Sequence, residues 1–245
     1  MRNAVVWWLL AATIGATDAQ ARFLQVDPAG YQDDLNLYFY THDDPTDLKD
    51  PKGLWSCGKG ENSCGKTKDA LSALSAAGNS RKLTASQRGK IAKVLAFFGK
   101  FSEKPDNVKV DETSGSGALT TPTGNGNFTI RVGTAGGAQG EAGRLGHEGW
   151  HGVEIEAHQG NYTSHNPRES WDMEMRAGTL QSWVDHDLQY TGENSFWQPA
   201  WTPEQLSDKI MQSALHSTSQ GYPGWSMDPG NYDYAARHYE ADWSK

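Results

Sequence analysis

The sequence predicts an α+β domain, a small sheet packed on helices with a metal ion between two of the helices. Three observations predict it. His147-Glu148-Gly149-Trp150-His151 places two histidines four residues apart, on one face of a helix. The stretch Ser170 to Leu188 is apolar at Met173, Ala177, Leu180, Val184 and Leu188, the 4,3,4,4 spacing of an amphipathic helix. Asn107 to Asp111 and Asn127 to Val132 alternate as half-buried strands do.

Taken in order, residues 1–21 carry a basic Arg2, an apolar run from Ala4 to Ala16 and Ala19-Gln20-Ala21. That is the three-part pattern of a secretory signal; the alternative is a chance start in a shortened reading frame. The run is too short for a membrane span, which needs ~20 apolar residues, so no stable span is expected. Cys57 and Cys64 flank a Gly/Asn/Ser-rich stretch and can close a small disulfide loop in an oxidising compartment; in a cytosol they would be free thiols. Thr67 to Ala77 and Ala85 to Phe101 read as helices, the second with a Thr84/Gln87 capping box. Ser114 to Gly126 reads as a Gly/Ser/Thr-rich connection, and the Gly-rich Gly133 to Gly140 leads into the histidine helix. Thr202-Pro203-Glu204-Gln205 starts a last helix.

The two histidines can hold one zinc ion, and Glu148 between them is placed to deprotonate the attacking water. The bland alternative is a helix with two solvated histidines. Three glycines, Gly146, Gly149 and Gly152, surround the motif. Each weakens a helix by up to ~1 kcal/mol relative to alanine, which implies close backbone approach by a neighbouring element or by substrate, or else a poorly formed helix. A catalytic zinc takes a third protein ligand. Glu174 lies at the edge of the apolar stripe, where a carboxylate needs a partner. Glu169 already has a task in the capping box Asn166-Pro167-Arg168-Glu169. His158 and His165 are more distant candidates.

Family patterns sharpen this. The metzincin pattern fails, because Ala157 stands where its third histidine belongs and Glu154 where its glycine belongs. Glu174-Met175-Arg176-Ala177 resembles the E-x-x-A of gluzincin second helices, which implies a zincin-like fold with His147, His151 and Glu174 as ligands and Glu148 as general base. Upstream, Asp27-Pro28-Ala29-Gly30-Tyr31, Asn36-Leu37-Tyr38-Phe39-Tyr40, Asp44-Pro45 and Asp50-Pro51-Lys52-Gly53-Leu54 closely resemble the end of the Rhs core of bacterial polymorphic toxins. That resemblance implies residues 22–54 are a core remnant, with processing residues Asp50 and Leu54, and residues 55–245 a toxin domain.

The formal charge is −8, without a Lys/Arg cluster, which speaks against nucleic acid as a partner. The expected function is a secreted or periplasmic, or cell-injected, zinc metallopeptidase toxin. Its partners would be a protein or peptide substrate and an immunity protein. Tyr234, His238 and Tyr239 are candidates for a second group that stabilises the oxyanion. Two alternatives stand beside this one: a peptidoglycan amide hydrolase with the same chemistry, and a non-catalytic, carrier-derived binding module.

Overall fold

The computed structural model describes residues 54–58, 64–101, 107–158 and 167–223. The order is β1 (Leu54–Cys57), α1 (Gly65–Gly78), α2 (Ala85–Phe98), β2 (Lys100–Phe101), β3 (Val108–Thr113), β4 (Ala118–Gly124), β5 (Asn127–Gly133), α3 (Gly137–Ala157), α4 (Pro167–Asp187) and α5 (Pro203–Gly221). Among the described residues, the mixture of five helices with one five-stranded sheet is that of an α+β protein. The leader, the Rhs-like segment through Gly53 with Asp50, His165, and the tail with Tyr234, His238 and Tyr239 lie outside the described residues. Among the described residues no helix is long and apolar enough to cross a membrane.

The strands lie in the order β2-β1-β3-β5-β4. β1 pairs in parallel with β2 and β3, β3 in parallel with β5, and β4 antiparallel with β5. Alternation assigns the faces. Val108 and Val110 sit opposite Phe128 and Ile130 and are buried with them, while Lys109 and Arg131 point the other way and are exposed.

Two expectations need correction. The helix expected to reach Phe101 stops at Phe98. Gly99 takes φ 59°, a left-handed value that suits glycine, and Lys100-Phe101 then pairs with Leu54-Trp55. The Trp55–Phe101 ring contact, 5.0 Å between centroids, seals that edge. The connection expected from Ser114 to Gly126 contains strand β4. Its Thr-rich composition hid the strand, because an edge strand with little buried surface has no strong apolar alternation. Pro122 is tolerated there because an edge strand need not donate every backbone N–H. β1 was not anticipated at all, since four residues are too few to show a period.

Helix α3 runs through the middle of the helical layer, with a glycine at every third position from Gly137 to Gly152. Steps of three advance about 300° around a helix, so the glycines wind round it. Four of them open two sides, Gly143 and Gly146 toward α4 and Gly149 and Gly152 toward α2. A Cβ at Gly143 would lie 2.2 Å from Asp185 Oδ1, at Gly146 2.9 Å from Leu180, at Gly149 2.5 Å from Val94, and at Gly152 2.2 Å from Phe97. The missing side chains let α4 approach one side and α2 another. Neighbouring elements do approach closely at these glycines, through their side chains rather than their backbones.

Helix α4 buries two faces. Met173, Leu180, Trp183 and Val184 join the main core with the sheet and α1 to α3. Trp171 and Met175 join Phe196, Leu206, Ile210, Met211 and Ala214 in a second core against α5. The capping box expected for α2 is present, Thr84 with Gln87, and the helix start expected at Thr202 begins α5 with a capping box of its own, Thr202 with Gln205. Cys57 and Cys64 form a disulfide that joins the end of β1 to the start of α1.

Candidate metal centre

The β5–α3 turn sets the depth of the motif helix. Gly136 enters it with φ 81°, against the hydroxyl of Tyr190. Arg144, three residues before His147, is buried. It donates from Nε and Nη2 to the Gly133 carbonyl at 3.0 and 2.7 Å, and from Nη2 to the Ala135 carbonyl. The helix is thereby tied to the end of the sheet one turn before its histidines. On the far side, Thr120 of β4 donates its hydroxyl to the Glu148 carbonyl at 2.9 Å, so an edge strand runs beside the motif.

Helices α3 and α4 bring together the three residues expected as ligands. His147 Nε2 lies 3.3 Å from Glu174 Oε2, and His151 Nε2 lies 3.5 Å from Glu174 Oε1. The ligand atoms of all three lie within 4.8 Å of one another, so the group could hold a metal ion. Glu148, on the adjacent side of the same turn, is buried. The two remaining candidates stay apart. Glu169 is in the first turn of α4, and His158 ends α3 in an exposed position; neither joins the group.

The electrostatics follow from this convergence. Burial disfavours charge on His147, yet the Glu174 hydrogen bond and the charges of Glu174, Glu148 and Asp185 outweigh it and hold its pKa above the ordinary value. Burial likewise pushes Glu174 up, but the His147 hydrogen bond, the two imidazoles and a Ser217 hydrogen bond bring it down to about 2. Glu174 is therefore a carboxylate under all ordinary conditions, the form a metal ligand requires.

Several contributors were not visible in the linear sequence. Ser217 of α5 reaches Glu174 from a helix more than forty residues away. Asp185 is fully buried at the crossing of α3 and α4 and accepts from the Phe196 backbone N–H at 2.8 Å. Burial raises its pKa to about 7 against that bond and those of Gln181 and Ser195. Arg176 donates to Glu154 across the two helices. Only the i,i+4 histidines and the unpartnered acid on an amphipathic helix carried a signal that sequence alone could offer. No family model matches this chain, and neither a curated protein nor a solved structure does.

Proposed function

We propose that this chain is a zinc-dependent peptide-bond hydrolase of the gluzincin kind, working as a bacterial toxin outside a reducing cytosol. The observation that carries the reading is the convergence of two imidazole nitrogens from α3 and both oxygens of one carboxylate from α4. Ligands arranged tetrahedrally at ~2.0–2.1 Å from a single zinc lie roughly 3.3–3.4 Å apart, which is the spacing of these pairs. Two nitrogens and a carboxylate are also a donor set that zinc takes in catalytic sites.

When bound, zinc supplies Lewis-acid polarisation of the scissile carbonyl. The chain's own part falls to Glu148. Its carboxylate takes a proton from the attacking water as the water oxygen bonds to the carbonyl carbon. It then passes that proton to the amine nitrogen as the C–N bond breaks. Strand β4 supports a peptide as substrate. Among the described residues its outer edge has no strand partner, and an extended chain can add to such an edge through main-chain hydrogen bonds. The formal charge of −8 counts against nucleic acid. The Rhs-like segment before Trp55 supports delivery as a toxin, with an immunity protein as its natural partner.

Metal analysis and substrate profiling test this reading. Purified protein should carry near one zinc per chain, lost in the His147→Ala/His151→Ala double variant. Labelling of new peptide ends in cells exposed to active protein should reveal cleavages absent with Glu148→Gln. A zinc-free wild type would refute the metal site. A zinc-loaded protein that releases amide products from peptidoglycan and none from proteins would give the function to the wall.

A further inference from the structure

We infer that Glu154 and Arg176 are positioning residues whose ion pair sets the roll of α4 against α3, and thereby the place of Glu174 beside the two histidines. The inference rests on the zinc reading above and adds the device that holds the third ligand in place.

The argument starts from helix geometry. At 100° per residue, Glu174 and Arg176 project about 160° apart around α4. Between them runs the stripe of Met173, Ala177, Leu180 and Val184, all buried toward the main core or the α3 crossing. Glu174 therefore lies on one flank of that stripe and Arg176 on the other. Apolar contact along the stripe is non-directional and leaves rotation of the helix about its own axis weakly specified. A polar link on each flank removes that freedom. One link is Glu174 with His147 and His151; the other is Arg176 with Glu154.

Glu154 is built for the task. Its Oε1 accepts from Trp150 Nε1 at 3.0 Å and also from Arg176 Nε. Trp150 lies between Gly149 and His151 in the motif itself. The Glu154 side chain is 14% exposed, against 39% for Arg176, so the acceptor is fixed and the arginine wraps to it. Seven residues separate Glu154 from His147, which is almost two helical turns, so it shares the face that carries both histidines. Removing the carboxylate releases α4 on one flank alone. The expected result is a third ligand that samples positions off the metal, while the fold stays intact.

The test measures zinc affinity by competition with a chelator, alongside the visible spectrum of the cobalt-substituted protein and the melting temperature. Wild type comes first: if it binds no zinc, the metal reading fails, and this inference fails with it. Given zinc binding by wild type, Glu154→Gln should weaken it about tenfold or more, the lower end for residues that orient ligands. It should also change the cobalt spectrum, which a purely structural residue would leave alone. The charge swap Glu154→Arg with Arg176→Glu should recover most of the affinity. Wild-type affinity and spectrum in a folded Glu154→Gln variant would overturn the inference while leaving the zinc site standing. So would a folded swap no better than the single variant.

Discussion

At the scale of single residues the structure separates two acids that sequence patterns leave in competition. Glu174 faces both histidines, whereas Glu169 sits in the first turn of α4. Glu174→Ala should weaken zinc binding strongly, and Glu169→Ala should leave zinc affinity unchanged at a cost of about 1 kcal/mol of stability or less. Chelator titrations decide it, and equal zinc affinities in wild type and Glu174→Ala would show the ligand was wrongly chosen. Glu148→Gln keeps all three ligands and loses the base. It should bind zinc as wild type does and lose hydrolysis by at least ~100-fold, the lower end of what general-base removal costs. Substantial turnover by the zinc-loaded variant would remove Glu148 from the mechanism. These residues were legible because each rests on local spacing: i,i+4 for the histidines, and a carboxylate at the rim of a regular apolar stripe. Ser217, Arg144 and Asp185 were not, because their meaning depends on which distant backbone folds against them.

At the scale of elements, the histidine helix α3 is held by what it lacks and by one buried acid. Gly149 is the instructive glycine. On an isolated helix alanine is better by ~1 kcal/mol, yet here its Cβ would meet Val94 at 2.5 Å and Phe98 at 2.7 Å. Gly149→Ala should therefore destabilise the protein by about 1–3 kcal/mol, the usual cost of overpacking, and thermal melting would show a stabilising outcome at once. Glu141, further up the same helix, poses a proton-counting problem. The single Thr67 hydroxyl proton lies between Glu112 Oε1 at 3.0 Å and Glu141 Oε1 at 2.7 Å. Glu112 also accepts the Thr67 backbone N–H, and the two carboxylates share that one hydroxyl donor. Burial and the Glu112 charge raise the Glu141 pKa from 4.5 to about 7, against Thr67, Arg144 and Lys66. The folded state thus binds this proton more tightly than the unfolded chain. Its stabilisation is complete below pH ~4.5 and is lost as pH rises through about 7. The difference is on the order of 3 kcal/mol. Glu141→Gln, permanently neutral, should lose less melting temperature than wild type from pH 5 to 8; Asp185 and His147, whose pKa values are also raised, leave part of the fall in both proteins. Parallel pH profiles for the two proteins would mean that Glu141 is ionised in the fold. The strands teach the complementary lesson. β3 and β5 were legible because they bury one face, while β1 and β4 were not, being very short or at an edge.

At the scale of the whole molecule, the disulfide ties the sheet to the helical layer that carries the candidate metal site. It links the end of β1 to Cys64, the residue that precedes α1. Cys64 gives that helix no side-chain cap, and Glu112 of β3 takes over by accepting the Thr67 N–H at 2.9 Å. Thr67 then passes the connection to Glu141 on the motif helix. One covalent bond and two polar contacts thus link β1, α1, β3 and α3. Closing a loop of this short span is worth about 2.5 kcal/mol in the chain-entropy picture. Reduction by a dithiol should lower the melting temperature by roughly 5–10 °C for a domain of this size. A Cys57→Ser/Cys64→Ser variant should melt at the reduced temperature whether or not a dithiol is present. The proposal of action outside a reducing cytosol stands on the same bond. Protein recovered from an oxidising compartment should weigh two protons less than its dithiol form. If the leader is removed after Ala21, that protein should begin at Arg22. A chain cut after Leu54 should still fold, because Trp55 keeps its pairing with both Phe101 and Val108. Two free thiols in such material, with a melting temperature indifferent to reductant, would remove the argument for export and leave the metal centre as it is.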